Sequence, residues 1–145
     1  MNQRNMKNTL ETRQAQLFMP IYGTFSSREF QRAANELTKW QWSDYDDYMK
    51  KYSYQNNPEA ALDRNTLIQF FEGVGVLVKR KLIDPSFVDD LISSYIIYFW
   101  EKWGPIYFEQ RKRQNFPTVA EYTEFLYNQV RPIWVSQHVK DEVPQ

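Results

Sequence analysis

Glu72 and Glu101 are the side chains of this chain best suited to acid–base chemistry, because two facing carboxylates can divide the roles of acid and base. Glu72 sits in an apolar stretch, Leu67-Ile-Gln-Phe-Phe-Glu-Gly-Val-Gly-Val-Leu-Val. A carboxylate buried there needs a partner, which Arg64 or Lys102 could supply. If the chain folds back at Asp84, residue 72 comes level with residues 96 to 98, and Glu101 falls about one helical turn away. A structural ion pair or an exposed position is therefore expected before catalysis. Asp44, Asp46 and Asp47 invite a calcium-loop reading. That loop also wants Gly at its sixth position and Glu at its twelfth. Counting from Asp44 gives Met49 and Gln55, so the acids are expected to complement the positive end of a helix instead.

Histidine occurs once, at His138, and cysteine is absent. A His-dependent triad, a multi-His metal site and any thiolate chemistry are excluded within one chain. A di-iron bundle fails too, since it takes a Glu-x-x-His motif from each of two helices. Gly73-Val74-Gly75 is only a fragment of a dinucleotide fingerprint, and it follows a helical pattern rather than a strand. Its glycines are expected to admit a neighbouring helix. No cofactor and no metal are expected, and no catalytic residue is assigned.

Two basic clusters remain, Lys79-Arg80-Lys81 and Arg111-Lys112-Arg113. Each lies at a predicted helix C-terminus, where cations are favoured by the dipole. Lys79, Arg80 and Lys81 are the candidates for contact with an anion such as a lipid headgroup. Five tryptophans, at 40, 42, 100, 103 and 134, are core candidates first. Trp100 and Trp103 are three apart and share a helix face. With Glu72 and Glu101 they are the candidates for a pocket or an interface.

The elements that position these residues are all helical by pattern. Asn57-Pro58 and Asp84-Pro85 each combine an N-cap residue with Pro at the first helical position. Apolar positions from Leu62 to Leu82 and from Phe87 to Trp103 follow helical spacing. They predict a long antiparallel hairpin of helices over 58–82 and 85–103. Gly104-Pro105 is expected to kink or break the second arm, with a continuation to Arg113. A first helix over 3–22 carries the stripe Met6, Leu10, Leu17 and Ile21; its start, 1–10, is expected to project, and Pro20 to kink or end it. Ser26-x-x-Glu29 and Thr118-x-x-Glu121 have the capping-box pattern and predict the starts of a second and a last helix. Ser43 opens a helix whose first turn is acidic. The last helix is expected to end or kink at Arg131-Pro132, with a frayed tail over 136–145. No segment alternates with a period of two. The fold class is all-α, a single domain of about six helices over 1–145 built around the hairpin.

Composition agrees with a globular chain. It has 145 residues, 42% hydrophobic and 25% charged, enough for one core. The formal net charge is zero, so no basic field favours nucleic acid, and none is expected as a partner. The N-terminus has no apolar signal core, and the longest charge-free apolar run, Leu91 to Trp100, is too short to span a bilayer. Aromatic residues reach 17%, a content that suits both a core and an interface.

The runs Ala61-Leu-Asp-Arg, Phe70-Phe-Glu-Gly-Val-Gly-Val-Leu-Val-Lys-Arg, Leu82-Ile-Asp and Tyr98-Phe-Trp-Glu-Lys-Trp carry a resemblance. They are similar to an uncharacterised family of small all-helical prokaryotic proteins, a domain of unknown function. Trp40-Gln-Trp-Ser-Asp-Tyr-Asp-Asp-Tyr and the segment from Leu17 to Phe30 resemble the same family, so the likeness covers Glu11 to Tyr127. It implies a fold and lends no activity. Many members carry a membrane helix before the first helix of the domain. This sequence shows none there, which implies either a soluble member or a piece that an anchor once preceded.

The expectation is a non-enzymatic protein-interaction module with a protein partner or a second copy. It would be cytoplasmic, or the cytoplasmic part of a membrane-tethered protein at the inner face of the membrane. Membrane contact would come only through an absent upstream anchor or the basic clusters. The alternatives are a small-ligand-binding helical protein or unrecognised enzyme with an aromatic-lined pocket, and a peripheral binder of anionic lipid.

Overall fold

The computed structural model describes residues 2–138, which form α-helices and, among themselves, no strand. The six helices are α1 (Gln3–Phe25), α2 (Arg28–Leu37), α3 (Tyr45–Tyr52), α4 (Pro58–Lys79), α5 (Pro85–Arg113) and α6 (Glu121–His138). The all-α single bundle expected from periodicity is the observed fold.

The caps decide where most helices start. Asn57 and Asp84 accept hydrogen bonds from the amides of Ala60 and Ser86, as their pairing with Pro58 and Pro85 predicts. Two expected starts shift by one residue. Ser27, not Ser26, caps α2 by accepting from the Phe30 amide at 3.2 Å, while Ser26 closes α1. Asp44, not Ser43, caps α3, accepting from the Asp47 amide at 2.8 Å. The Thr118 capping box does not form at all. Ala120 stands at φ 59° and α6 begins only at Glu121.

Three prolines expected to break or kink helices sit inside them without ending them. Gly104-Pro105 does not end α5, which runs to Arg113, and Pro20 and Pro132 lie within α1 and α6. A proline removes the donor to the carbonyl four residues earlier. Here those carbonyls belong to Gln16, Glu101 and Asn128, all on exposed residues, where solvent can satisfy the freed carbonyl. The last helix therefore passes Arg131 and reaches His138. Ser136 to His138 are helical, and the rest of the expected frayed tail lies outside the described residues.

The first arm of the hairpin ends at Lys79, three residues short of the expected 82, in a closing loop. Lys81 takes φ 60°; its amide bonds Val78 O at 2.9 Å, and the Leu82 amide bonds Leu77 O at 2.9 Å. That is a Schellman closure, with a lysine in the left-handed position that usually takes glycine. Residue 71 then faces 99 and residue 64 faces 107, the register of an antiparallel pair. The two arms meet through large side chains, Phe71 and Phe99 having ring centroids 5.2 Å apart. α6 approaches both arms closely, and α2 crosses α4.

The core follows from this packing. Phe30, Ala33, Ala34 and Leu37 of α2, the apolar face of α4, and Ile92, Ile96, Phe99 and Trp103 of α5 are buried together. Of α1, only Phe18 and Phe25 are buried, and Phe18 meets Phe87 edge-on at 5.7 Å. Every residue from Asn2 to Arg13 is exposed. At 1.5 Å per residue, residues 3–13 make roughly 16 Å of helix that is exposed throughout.

Candidate functional site

Glu72 is the anchor of α6. Its carboxylate accepts from the Thr123 amide at 2.7 Å and from the Thr123 hydroxyl at 2.8 Å. Thr123 is the third residue of α6, so this carboxylate satisfies an orphan donor and faces the positive helix end. It replaces the cap that Thr118 does not supply. Gly75, one turn further along α4, completes the seat. A Cβ there would overlap the Tyr122 carbonyl. The expectation that a glycine of this pair admits a neighbouring helix holds at Gly75 and fails at Gly73, which is exposed with open space around it. The expected partners of Glu72, Arg64 and Lys102, both lie elsewhere.

Arg64 instead enters a polar cluster among α3, α4 and α5. Its guanidinium reaches the Tyr48 hydroxyl at 3.5 Å and Asn65 Oδ1 at 3.4 Å, and lies 5.9 Å from the Tyr107 ring centroid. The Tyr48 hydroxyl also accepts from Trp103 Nε1 at 3.2 Å. Burial pushes the Tyr48 and Tyr107 phenols above their ordinary range, and the nearby Arg64 charge offsets this in part. Both stay neutral near pH 7. The cluster binds three helices with neutral donors and acceptors and one cation, and it holds no general base.

Glu101 is exposed, accepts from the Tyr127 hydroxyl at 3.0 Å and lies 3.8 Å from Arg131. It faces α6 and never meets Glu72. Trp100 and Trp103 also part company. Trp100 stacks on Tyr107 with centroids 6.0 Å apart and packs against Gly104. Trp103 is fully buried against Phe99, Trp40 and Trp42. The four pocket or interface candidates therefore serve four separate places. Of the anion candidates, Lys79 lies over the Phe125 ring at 5.1 Å, and Lys79 and Lys81 line a recess at the hairpin corner beside Gln14 and Asp84. Arg80 is exposed on the turn. Asp84 and the carbonyl end of α4 temper the positive field there. The acids of α3 act as caps and ion-pair partners: Asp47 accepts from the Ser43 amide and pairs with Lys51, and Asp46 pairs with Arg113 at 2.7 Å. Among the described residues no cluster of His, Asp or Glu is arranged to hold a metal ion.

The best-formed recess was not legible in the residue pattern. It lies between α2 and α5, holds about 350 Å³, and has Leu67, Phe99 and Trp103 at its bottom. Asn35, Thr38, Ser94 and Tyr98 stand around its mouth. Tyr95 closes one end by donating to Gln31 Oε1 at 3.0 Å. At the Thr38 end Lys102 donates to the carbonyls of Trp40 at 2.7 Å and Leu37 at 3.4 Å. Its ammonium also lies 4.9 Å from a Trp103 ring centroid and 5.4 Å from that of Trp42. Only Trp103 of this set stood among the sequence candidates. Tyr95, Tyr98 and Lys102 follow one face of α5, but nothing in the chain says that α2 stops short of covering them.

A second uncovered surface is α1. Met6 and Leu10 are each more than half exposed, Leu17 continues their stripe in the open, and Met19 is exposed on the opposite face of the helix. The charges on the projecting part are Arg4, Lys7 and Arg13 against Glu11, with Lys7 only 3.9 Å from Glu11.

Fold and surfaces together define a helical-bundle domain whose polar groups mostly cap, clamp and fill. The chain belongs to the family described as Domain of unknown function (DUF4760), whose model matches residues 8–130. No curated protein and no solved structure matches the chain. No helix among the described residues is long and apolar enough to cross a membrane.

Proposed function

We propose that this domain is a non-enzymatic interaction module that takes hold of a partner polypeptide with α1. One observation carries the reading: residues 3–13 form helix and every one of them is exposed, with Met6 and Leu10 uncovered on it. A short isolated helix is marginal in water, because its stability ordinarily comes from packing an apolar face. The stripe suits an amphipathic partner helix in the groove-and-knob manner. Three cations against one carboxylate on the projecting part favour an acidic partner over a second copy of the same basic segment. A cytoplasmic setting, with the body held at the inner face of a membrane by such a partner, belongs to the same reading.

Site-specific photocross-linking in the producing cell tests it. A photoreactive residue at Met6 or Leu10 is expected to trap one acidic polypeptide, while one at exposed Asn128 does not. The adduct should be lost in an Arg4→Glu/Lys7→Glu variant. Adducts with the mass of two copies of this chain would replace the partner by self-association. No adduct at either position removes the proposal.

A further inference from the structure

We propose that the recess between α2 and α5 is a binding site for a small monocarboxylate with an apolar tail. This goes beyond the α1 reading and uses none of its residues. Ligand sites are concave, mostly apolar and equipped with a few convergent polar groups, in volumes of roughly 300–1,000 Å³. The recess, at about 350 Å³, lies at the small end of that range and admits a ring or short chain rather than a peptide. Its walls are Ala34 and Leu37 on one side and Tyr95 on the other, above the floor of Leu67, Phe99 and Trp103. The small side chain of Ala34 keeps the space open between two crossing helices.

The sign of the ligand's head follows from Lys102. Its ammonium is held at the Thr38 end by the Trp40 and Leu37 carbonyls, and the Tyr98 hydroxyl lies 3.5 Å away. Thr38 borders both this recess and a shallow depression that Lys102 lines with Trp40 and Trp42. Lys102 forms no ion pair among the described residues. Its positive charge is therefore met by dipoles and ring faces alone, and it repels a cationic head while attracting an anionic one. All three Lys102 donors are in use, so a carboxylate over Thr38 would take a charge-assisted bond from Lys102 in exchange for its long bonds to the Leu37 carbonyl at 3.4 Å or the Tyr98 hydroxyl at 3.5 Å, which frees the Tyr98 hydroxyl to donate as well. The tail would then run along the groove towards Ser94.

Phenylbutyrate, the matching alcohol and the matching amine are the probes, titrated by calorimetry with amide NMR shifts to locate them. The acid is expected to bind about tenfold more tightly than the alcohol, the value of one good charge-assisted bond. The amine should bind more weakly than either. Shifts should centre on Thr38, Ser94, Tyr98 and Lys102. Ser94→Trp, at an exposed rim position, fills the mouth and should abolish binding of acid and alcohol alike. Lys102→Met should bring the acid down to the alcohol's affinity and leave the alcohol unchanged. Should that variant fail to fold, since Lys102 also clamps the end of α2, the ranking on the unmodified chain and Ser94→Trp still decide. Equal affinity of acid and alcohol, absence of binding, or shifts centred elsewhere overturns the proposal, whatever the cross-linking at α1 shows.

Discussion

Gly75 and Gly73 stand two residues apart on α4 and should respond oppositely to the same change. Gly75→Ala drives a methyl group into the Tyr122 carbonyl, where backbone cannot yield cheaply. Overpacking of this kind costs about 1–3 kcal/mol, and the upper end is expected here in urea unfolding. Gly73→Ala meets open space on an exposed helical position and should stabilise by about 1 kcal/mol. Lys81 gives a second residue-scale test. A side chain at φ 60° is disfavoured by about 1 kcal/mol, so Lys81→Gly should raise stability by that amount in the same assay. The residue pattern marked the glycines as packing sites but could not tell one from the other. Two residues along a helix is about 200° of rotation, so one faces α6 and the other faces water.

The coupling between α4 and α6 depends on the Glu72 carboxylate. Glu72→Ala should cost about 2 kcal/mol, since it orphans a helix amide and a buried hydroxyl that were bonded to a charge. Glu72→Gln keeps an acceptor and should lose less. Hydrogen exchange at the Thr123 amide should quicken more than at the other amides of α6, which separates loss of the cap from general destabilisation. The start of α5 carries a pH signature. Asp84 accepts from the Ser86 amide and hydroxyl, which holds its pKa below the ordinary aspartate value. A depressed carboxylate contributes stability above its unfolded pKa of about 3.9 and loses it as pH falls through the folded value. Asp84→Asn should remove that part of the acid dependence in a melting series from neutral to low pH. Cap and proline signals read well where the cap is local, at Asn57 and Asp84. They misread α6, whose cap comes from a residue some fifty positions earlier in the chain (Glu72 to Thr123).

At the scale of the whole molecule, α1 divides into a docked half and a free half. Deleting residues 1–13 should leave the melting temperature within about 2 °C of the full chain, because none of the described residues removed is packed into the body. Helical circular dichroism should fall in proportion to the residues lost. A larger drop in melting temperature would mean that the exposed stripe is covered in solution. The docked half is held by Phe18, Phe25 and the Gln14 side chain, which accepts from the Asp84 amide at 2.8 Å. The hairpin corner and the middle of α1 are thus fastened together.

The chain by itself determined that the protein is helical and, to within about a residue, where most helices start. Those properties depend on local spacing, on capping chemistry and on a period that neighbours in sequence share. It determined as well that cysteine chemistry and multi-histidine chemistry are absent, since these depend on composition. Only the tertiary structure decided that Glu72 caps α6, that Trp100 and Trp103 serve different clusters, and that α2 leaves an aromatic recess open beside Lys102. Each of those depends on how far two helices stand apart and how they are rotated, which side chains distant in sequence set together.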